Sequence, residues 1–504
     1  VKLNKKIFSG LILFLLGLAL ISMAADITNR CKQQLNCYTI LVGKKASADG
    51  SVLIAHNEDD YGDIIVNVRK IAPRNYGSSV KINLGHGGVY ETDGRTNGFL
   101  WIEATTQEFA DSFINEYGVV ITSNACSSRE NKDDLTDGGI SYMLRRIVAE
   151  KARSAREAVK IIGELVEKYG YRSSGRTYSI ADKNEAWMVA VIKGRQWFAQ
   201  RLPDDEVAVI PNFYTIRQIR LDDPDNFTGS RDIIEYAKNN GWYDEAKDGP
   251  FDFKKAFARP SSREPVFDGN TLRMWRGLTI LSGKEWKIDG DYPFSFKPAK
   301  KITPEMLMAL LRDHYEGTEY DATEGYKHGS PNRTKYRTIC TSSTINAFVA
   351  CLNDKKPEPL SILVWMAFGK PDTTIFLPVY YRVESLPTGF GYGHNTHDYE
   401  LFYKQHFEPT ELQAVKDKLL NTRVLRFEKL VEENYGQLIE VVKKELYPLE
   451  KDWLRGHQQF EARFGSLYHR NPGKAMRSLN AYVAKAGKSL VQAYERLEKI
   501  YLKD

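Results

Sequence analysis

The sequence predicts an α+β protein, on three observations. Residues 37 to about 130 and 170 to 215 are rich in short β-branched and aromatic runs broken by turn residues. Ile140 to Tyr169 carries apolar Met143, Ile147, Val148, Ala158, Ile161, Ile162 and Leu165 at helical spacing, which predicts a helix pair. After Gly393 the composition changes to apolar residues at helical intervals among many charges.

The chain opens with Lys2, Lys5 and Lys6, an apolar run from Ile7 to Ile21, and the small-residue stretch Ser22-Met23-Ala24-Ala25. This is the pattern of a secretory signal peptide over residues 1–25. The apolar run is short for a membrane span, which takes about 20 residues; an uncleaved anchor is the alternative. Thr28-Asn29-Arg30 before Cys31 is polar and charged, against a lipid-anchored cysteine. Export places the mature protein in the periplasm or outside the cell, with residues 26–36 as a spacer.

Cys37 begins the next element. Tyr38 to Val42 reads as a strand, Ala48-Asp49-Gly50-Ser51 as an Asp-Gly turn and Val52 to Ala55 as the returning strand. The hairpin carries His56-Asn57-Glu58-Asp59 back beside Cys37. There these polar groups can orient a substrate and lower the thiol pKa. A cut between Asn36 and Cys37 would leave a thiol and an α-amine on one residue. Their ordinary pKa values, near ~8.5 and ~8, make one residue both nucleophile and base near neutral pH. Cys37 can also be read as a small buried strand residue.

Further on, Asp222 to Phe296 is a polar and aromatic stretch that could include an inserted loop or lid. Pro304 to Asp313 is an expected helix, and strands return at about 360 to 383. Leu412 to Leu446 and Met476 to Tyr501 are expected to be helical, packing on the core or on a partner subunit; this leaves a homo-oligomer open. Of the other cysteines, Cys126, Cys340 and Cys351 are either buried thiols or include one disulfide.

Composition narrows the function. Hydrophobic residues make up 42% and charged residues 27%, as in a soluble globular protein, and 12% aromatic content is compatible with an aromatic-lined cleft. A net charge of +6 with no Lys/Arg block gives no case for nucleic acid. There is no C-x-x-C pair, H-E-x-x-H or EF-hand loop and no Gly-rich phosphate loop, so neither a metal nor a cofactor is expected.

The motif Cys-x-Thr-Ile-Leu-Val-Gly-Lys-x-Ala-Ser-x-Asp-Gly-Ser from Cys37, followed by Ala-x-Asn-Glu-Asp ending at Asp59, resembles the start of the dipeptidase A/secernin family. These are cysteine peptidases of the N-terminal-nucleophile hydrolases, related to penicillin V acylase and bile-salt hydrolase. Asn115 to Glu130, Gly170 to Asp182, Glu185 to Asn212, Arg337 to Cys340 and Ser361 to Tyr381 are similar to further family blocks in family order. The likeness covers 37 to about 390.

The resemblance implies a four-layer αββα sandwich over residues 37–395, with 396–504 as a helical C-terminal extension. It implies a cysteine dipeptidase acting on small peptides through a thioester. Cys37 would be the nucleophile, Asp59 the acceptor holding its amine, and the Asn124 backbone N–H and Asn212 side chain the oxyanion donors. Arg337 aligns loosely with the second active-site arginine of the acylases and otherwise reads as a salt-bridged strand residue. His56 stands where related acylases have an arginine, and His carries charge only below about pH 6.5 when unperturbed. His56 and Glu58 are candidate substrate-binding residues, with Asp60 and Asp182 further candidates for a substrate α-amine. An N-acyl amide hydrolase of the same fold and a non-catalytic envelope binding protein are the competing readings.

Overall fold

The structure is a computed structural model and describes residues 37–60, 64–262, 267–334, 336–393 and 398–502. The expected leader (1–25) and spacer (26–36) lie outside the described residues.

The expected hairpin is present as β1 (Tyr38–Val42) and β2 (Val52–Asp59). Gly50 takes φ 80°, the left-handed conformation an Asp-Gly turn needs. β2 continues through Asp59, so His56 to Asp59 belong to the strand itself, with register Thr39↔His56 and Tyr38↔Asn57. There follow β3 (Val66–Ile71), β4 (Arg74–Asn75), β5 (Val80–Asn83), β6 (Val89–Thr92), β7 (Arg95–Thr96), β8 (Phe99–Ala104), β9 (Ser112–Asn115) and β10 (Val120–Ala125). Beyond the helices Met143–Lys151 and Ala155–Tyr169 come β11 (Tyr171–Ala181), β12 (Ala186–Gly194), β13 (Trp197–Arg201), β14 (Val207–Ile210) and β15 (Phe227–Gly229). After the helices Gly269–Ser282 and Pro304–Leu311, β16 (Thr344–Leu352), β17 (Ile362–Phe368) and β18 (Leu377–Tyr380) complete the strands.

Two antiparallel sheets carry the site. One has the order β14-β1-β2-β16-β17-β18 and the other β15-β13-β12-β11-β10-β9-β8-β3. Strand side chains alternate between faces, and here both faces are covered. Leu41, Val52, Ile54, Phe348 and Val364 of the first sheet share one core with Leu100, Ile102, Val120, Met188 and Ala190 of the second. Their neighbours Tyr38, Ile40, Leu53, Ala55, Val349 and Trp365 face the opposite way, onto Leu272, Leu278, Leu307 and Leu311 of two helices. Phe99, Trp101, Trp187 and Val189 face outward from the second sheet onto Ile147, Val148, Val159 and Ile162. The result is helix, sheet, sheet, helix: the αββα sandwich.

Two elements that shape the site were not foreseen from the sequence. β16 is buried at every position, so it lacks the polar-apolar alternation by which a half-buried strand is recognised. Within 222–296 lies the helix Gly269–Ser282. Asp268 caps it by accepting from Asn270 N and Thr271 N, and Gly283 ends it in the left-handed region. Gly277 lets this helix lie directly on β1 and β14: a Cβ there would meet Tyr38 Oη at 2.2 Å and Val209 methyls at 3.1 Å.

From Leu420 the chain forms helices Leu420–Glu433, Tyr435–Glu445, Tyr447–Arg470 and Pro472–Tyr501, within the same compact unit that starts at Cys37. Their buried carboxylates reach the turn between β17 and β18. Glu428 accepts from Lys370 Nζ at 2.6 Å and Glu450 from Phe376 N at 2.6 Å and Arg312 Nη2 at 2.6 Å. Among the described residues no helix is long and apolar enough to cross a membrane. Cys37, Cys126, Cys340 and Cys351 are all free and buried; Cys31 lies outside the described residues.

Candidate active site

Strand alternation sorts the hairpin's polar residues into two sets. Cys37, Thr39, His56 and Glu58 share the face of Leu41 and Ile54, toward the space between the sheets. Asn57 and Asp59 share the face of Tyr38, toward the helices.

On the inner face a hydrogen-bonded chain crosses both sheets. Cys37 Sγ donates to Glu58 Oε1 at 2.9 Å. Glu58 Oε2 lies 3.0 Å from His56 Nε2, and His56 Nδ1 lies 2.7 Å from Thr39 Oγ1. Thr39 donates to Asn124 Oδ1 of β10 at 2.6 Å, and Asn124 Nδ2 donates to the Ile210 carbonyl at 3.0 Å. The proton positions follow from this network. Asn124 Nδ2 needs the carbonyl, so its Oδ1 faces Thr39. The Thr39 hydroxyl proton goes to that oxygen, so Thr39 accepts from His56 Nδ1–H. The remaining His56–Glu58 contact then requires one proton between Nε2 and Oε2. Cys37 is 2% exposed, and His56 and Asn124 are fully buried.

The thiol is held in its protonated form. Burial pushes its pKa well above the ordinary value, and the charges of Glu58 and Asp59 push the same way, while the Asp59 backbone N–H opposes them. This corrects the expectation that residues 56–59 lower the thiol pKa: two of those four are carboxylates, and anions beside a thiol disfavour the thiolate. A buried cation stands on the opposing sheet. Arg176 of β11, 2% exposed, donates to Tyr171 Oη and Ser123 Oγ, and its raised pKa includes a contribution from Cys37. Sequence reasoning passed over Arg176 although it falls inside a matching block.

On the outer face Asp59 is fully buried and accepts from Thr344 Oγ1 at 2.7 Å and Arg337 Nη2 at 3.2 Å. Burial raises its pKa, with Arg337 and Arg273 opposing. Arg337 lies in a loop rather than a strand, partly exposed, and also donates to Ser343 Oγ at 2.8 Å. Arg273, from the unforeseen helix, is fully buried. It donates to the Cys37 carbonyl at 3.3 Å and to Asn212 Oδ1 at 3.0 Å, and its Nη1 stands 3.7 Å from Asp59 Oδ2. Asn212 gives one amide hydrogen to the Ala125 carbonyl at 3.1 Å, which leaves it a second. Asp182 lies elsewhere: it caps the helix at Ala155, accepting from Ala155 N at 2.7 Å, and accepts from Asn184 N and Glu185 N.

The structure thus brings Cys37, His56, Glu58, Asp59, Asn124, Asn212 and Arg337 into one neighbourhood and adds Arg273 and Arg176. Two groups among the described residues have atoms placed to hold a metal ion: Cys37–His56–Glu58 here, and His314–Cys340–Asp372 in the loops behind Arg337.

Two stacked antiparallel sheets between helical layers, with a cysteine heading an interior strand, define the class: an αββα sandwich. Residues 36–418 match peptidase family C69, and the chain belongs to that family of peptide hydrolases. A probable dipeptidase of Latilactobacillus sakei is 28% identical over 366 residues, 68% of this chain and 74% of the relative. Dipeptidase A of Lactobacillus helveticus is 28% identical over 377 residues, 70% and 77% of the two chains. Among solved structures, penicillin V acylase from Agrobacterium tumefaciens aligns over 69% of this chain and 87% of its own, at 13% identity and TM-score 0.35. A variant of conjugated bile acid hydrolase from Clostridium perfringens aligns over 68% and 92%, at 12% identity and TM-score 0.32.

Proposed function

We propose that the protein is an exported cysteine dipeptidase whose nucleophile is Cys37, made N-terminal by a cut after Asn36. The observation that carries this is the Cys37 thiol. It heads the compact unit, lies between the sheets, and has its proton directed at Glu58 at 2.9 Å. The family and the names of the two dipeptidase relatives support the substrate class. The leader read from the sequence supports export to the periplasm or the medium.

In this mechanism the Cys37 sulfur attacks the scissile carbonyl, and the freed α-amine takes the thiol proton and later gives it to the leaving amine. A thioester forms and water hydrolyses it. Glu58 orients the thiol, and His56 Nε2 holds the other Glu58 oxygen. Burial and its carboxylate neighbours keep the sulfur a thiol until attack, so proton removal and bond formation go together. The second amide hydrogen of Asn212 is the oxyanion donor, whereas the Asn124 N–H implied by the resemblance faces Thr177 in the β10–β11 ladder. Arg273 fixes Asn212 and the Cys37 backbone relative to each other, and Asp59 holds Arg273 and Arg337.

The test is N-terminal sequencing of the mature protein together with activity of the Cys37→Ser variant. Mature protein should begin at Cys37 and hydrolyse free dipeptides in preference to N-acyl amines, and Cys37→Ser should be inactive. Full dipeptidase activity in a chain whose residue 37 is still joined to Asn36, or in Cys37→Ser, overturns the proposal. A preference for apolar N-acyl amines would instead make it an acylase.

A further inference from the structure

The last two helices form a hairpin. Tyr447–Arg470 and Pro472–Tyr501 are joined by Asn471 alone. Phe460 stacks on Tyr482 with ring centroids 4.0 Å apart, so the second helix returns along the first. Asn471 caps the second helix by accepting from Lys474 N at 3.0 Å. Its apolar side, with Leu479, Val483, Ala486, Leu490 and Ala493, is buried. Its other side is basic without relief. From Ala462 to Tyr494 the chain has six Lys and Arg and no Asp or Glu. The formal net charge of the whole chain is +6, so this stretch alone accounts for it and the remaining residues balance. Arg463, Arg470, Lys474, Arg477, Lys485 and Lys488 are all exposed. Arg463 and Arg470 give Nε–H to the carbonyls of Gln459 and Ser466 in their own helix, and among the described residues no carboxylate pairs with any of the six. Other surface helices interleave their charges, as in Lys160–Glu164, Lys443–Glu440 and Arg455–Asp452.

Helix stability favours a different choice of residues. The first turn of a helix prefers carboxylates, yet Lys474 stands there and no acidic residue does. Lys474 with Arg477, and Lys485 with Lys488, set like charges three positions apart, where they repel. Residues that weaken their own helix and have no partner within the chain are suited to a partner outside it.

We propose that this hairpin docks on an anionic phospholipid bilayer. Lys474, Arg477, Lys485 and Lys488 lie within about 80° of arc and along about 21 Å of one helix. So straight a stripe meets a flat surface with all four charges at once. Ala481 and Ala484, exposed along the same side, are too small to hold the cations away from the headgroups. No exposed large apolar residue lies between 462 and 494, so the hairpin rests on the headgroups without inserting. Nor is there an exposed aromatic ring on which the bases of a single-stranded nucleic acid could stack. Each cation close to an anionic leaflet strengthens binding by about fivefold. The proposal is independent of the peptidase reading.

The test sediments full-length protein with vesicles of phosphatidylcholine alone and of two parts phosphatidylcholine to one part phosphatidylglycerol. Phosphatidylglycerol should strengthen binding, and raising the salt from about 0.05 to about 0.5 M should reverse the gain. Replacing Lys474, Arg477, Lys485 and Lys488 by Gln should weaken binding to the anionic vesicles by about 10²–10³-fold, with the circular dichroism of wild type. Replacing the exposed Lys160, Lys284, Lys287 and Lys300 by Gln removes the same charge elsewhere and should leave binding as in wild type. The proposal is overturned if phosphatidylglycerol adds nothing, or if the two quadruple variants bind alike. It is also overturned if duplex DNA, at equal phosphate concentration, strips the wild-type protein from the vesicles, which would make nucleic acid the partner.

Discussion

Glu58 is the residue on which the thiol's chemistry turns, because it is both the hydrogen-bond acceptor of Cys37 and one of the charges that raise its pKa. The two roles separate in Glu58→Gln. In wild-type full-length chain, alkylation of Cys37 by iodoacetamide should be slow at pH 7 and climb with pH beyond the ordinary thiol range near ~8.5, since only the thiolate reacts. Removing the Glu58 charge moves the thiol pKa down, so Glu58→Gln should be alkylated faster at pH 7 while its turnover falls by about 10²–10⁴-fold. Alkylation no faster than wild type would show that the carboxylate does not govern the thiol. The two arginines on Asp59 can also be ranked. Arg273 is fully buried and also holds Asn212 and the Cys37 carbonyl, whereas Arg337 is partly exposed and Asp59 keeps Thr344. Arg273→Met should therefore cost about 3–5 kcal/mol of stability, the range for breaking a buried ion pair, and lower kcat more than Arg337→Ala does. Parallel denaturant titrations and dipeptide kinetics check the order, and equal effects refute it. Cys37, Glu58 and Asp59 were legible in the sequence because one hairpin brings them together. Arg273 was not: it lies 236 positions from Cys37 and reaches it only through tertiary packing.

At the scale of elements, the helix Gly269–Ser282 positions Arg273 only because Gly277 lets it rest on β1 and β14. Gly277→Ala puts a methyl 2.2 Å from Tyr38 Oη, so the helix must lift. We expect a loss of about 1–3 kcal/mol, as for other overpacked contacts, and a fall in activity with it, read from a urea titration and dipeptide turnover on one preparation. Wild-type stability would mean that the helix sits higher than described. This element was hard to read in advance. Its start, Asp268-Gly269-Asn270, has the composition of a turn, and Arg273 and Gly277 interrupt its buried apolar face. The helices Met143–Lys151 and Ala155–Tyr169 were legible because their buried residues recur at helical spacing. Once β16 is placed, β2 lies centrally in its sheet, paired with β1 on one edge and β16 on the other, which is why His56 and Asp59 are sealed from solvent.

For the molecule as a whole, the C-terminal helices are part of the core. Leu490, Ala493, Tyr494 and Leu497 pack with the residues between the sheets, and Lys370, Thr373 and Arg312 are satisfied by Glu428 and Glu450. A chain ending at Gly393 would strand Lys370 without its carboxylate, and burying an unpaired charge is strongly destabilising. We expect this truncation to yield no soluble folded protein, judged by circular dichroism and size-exclusion chromatography; a soluble, active 1–393 fragment would contradict it. The helical character of this region was plain from its periodicity. Its depth of integration was not, because Glu428 and Glu450 look like ordinary surface charges until their partners in the β17–β18 turn are known. That dependence also sets an order of events in the cell. The turn gripped by Glu428 and Glu450 supports β17, β17 supports β16, and β16 pairs with the strand bearing Glu58. A nascent polypeptide therefore cannot assemble the surroundings of its sulfur until the helix bearing Glu450 has left the ribosome. Any self-cleavage ahead of position 37 must wait for that helix.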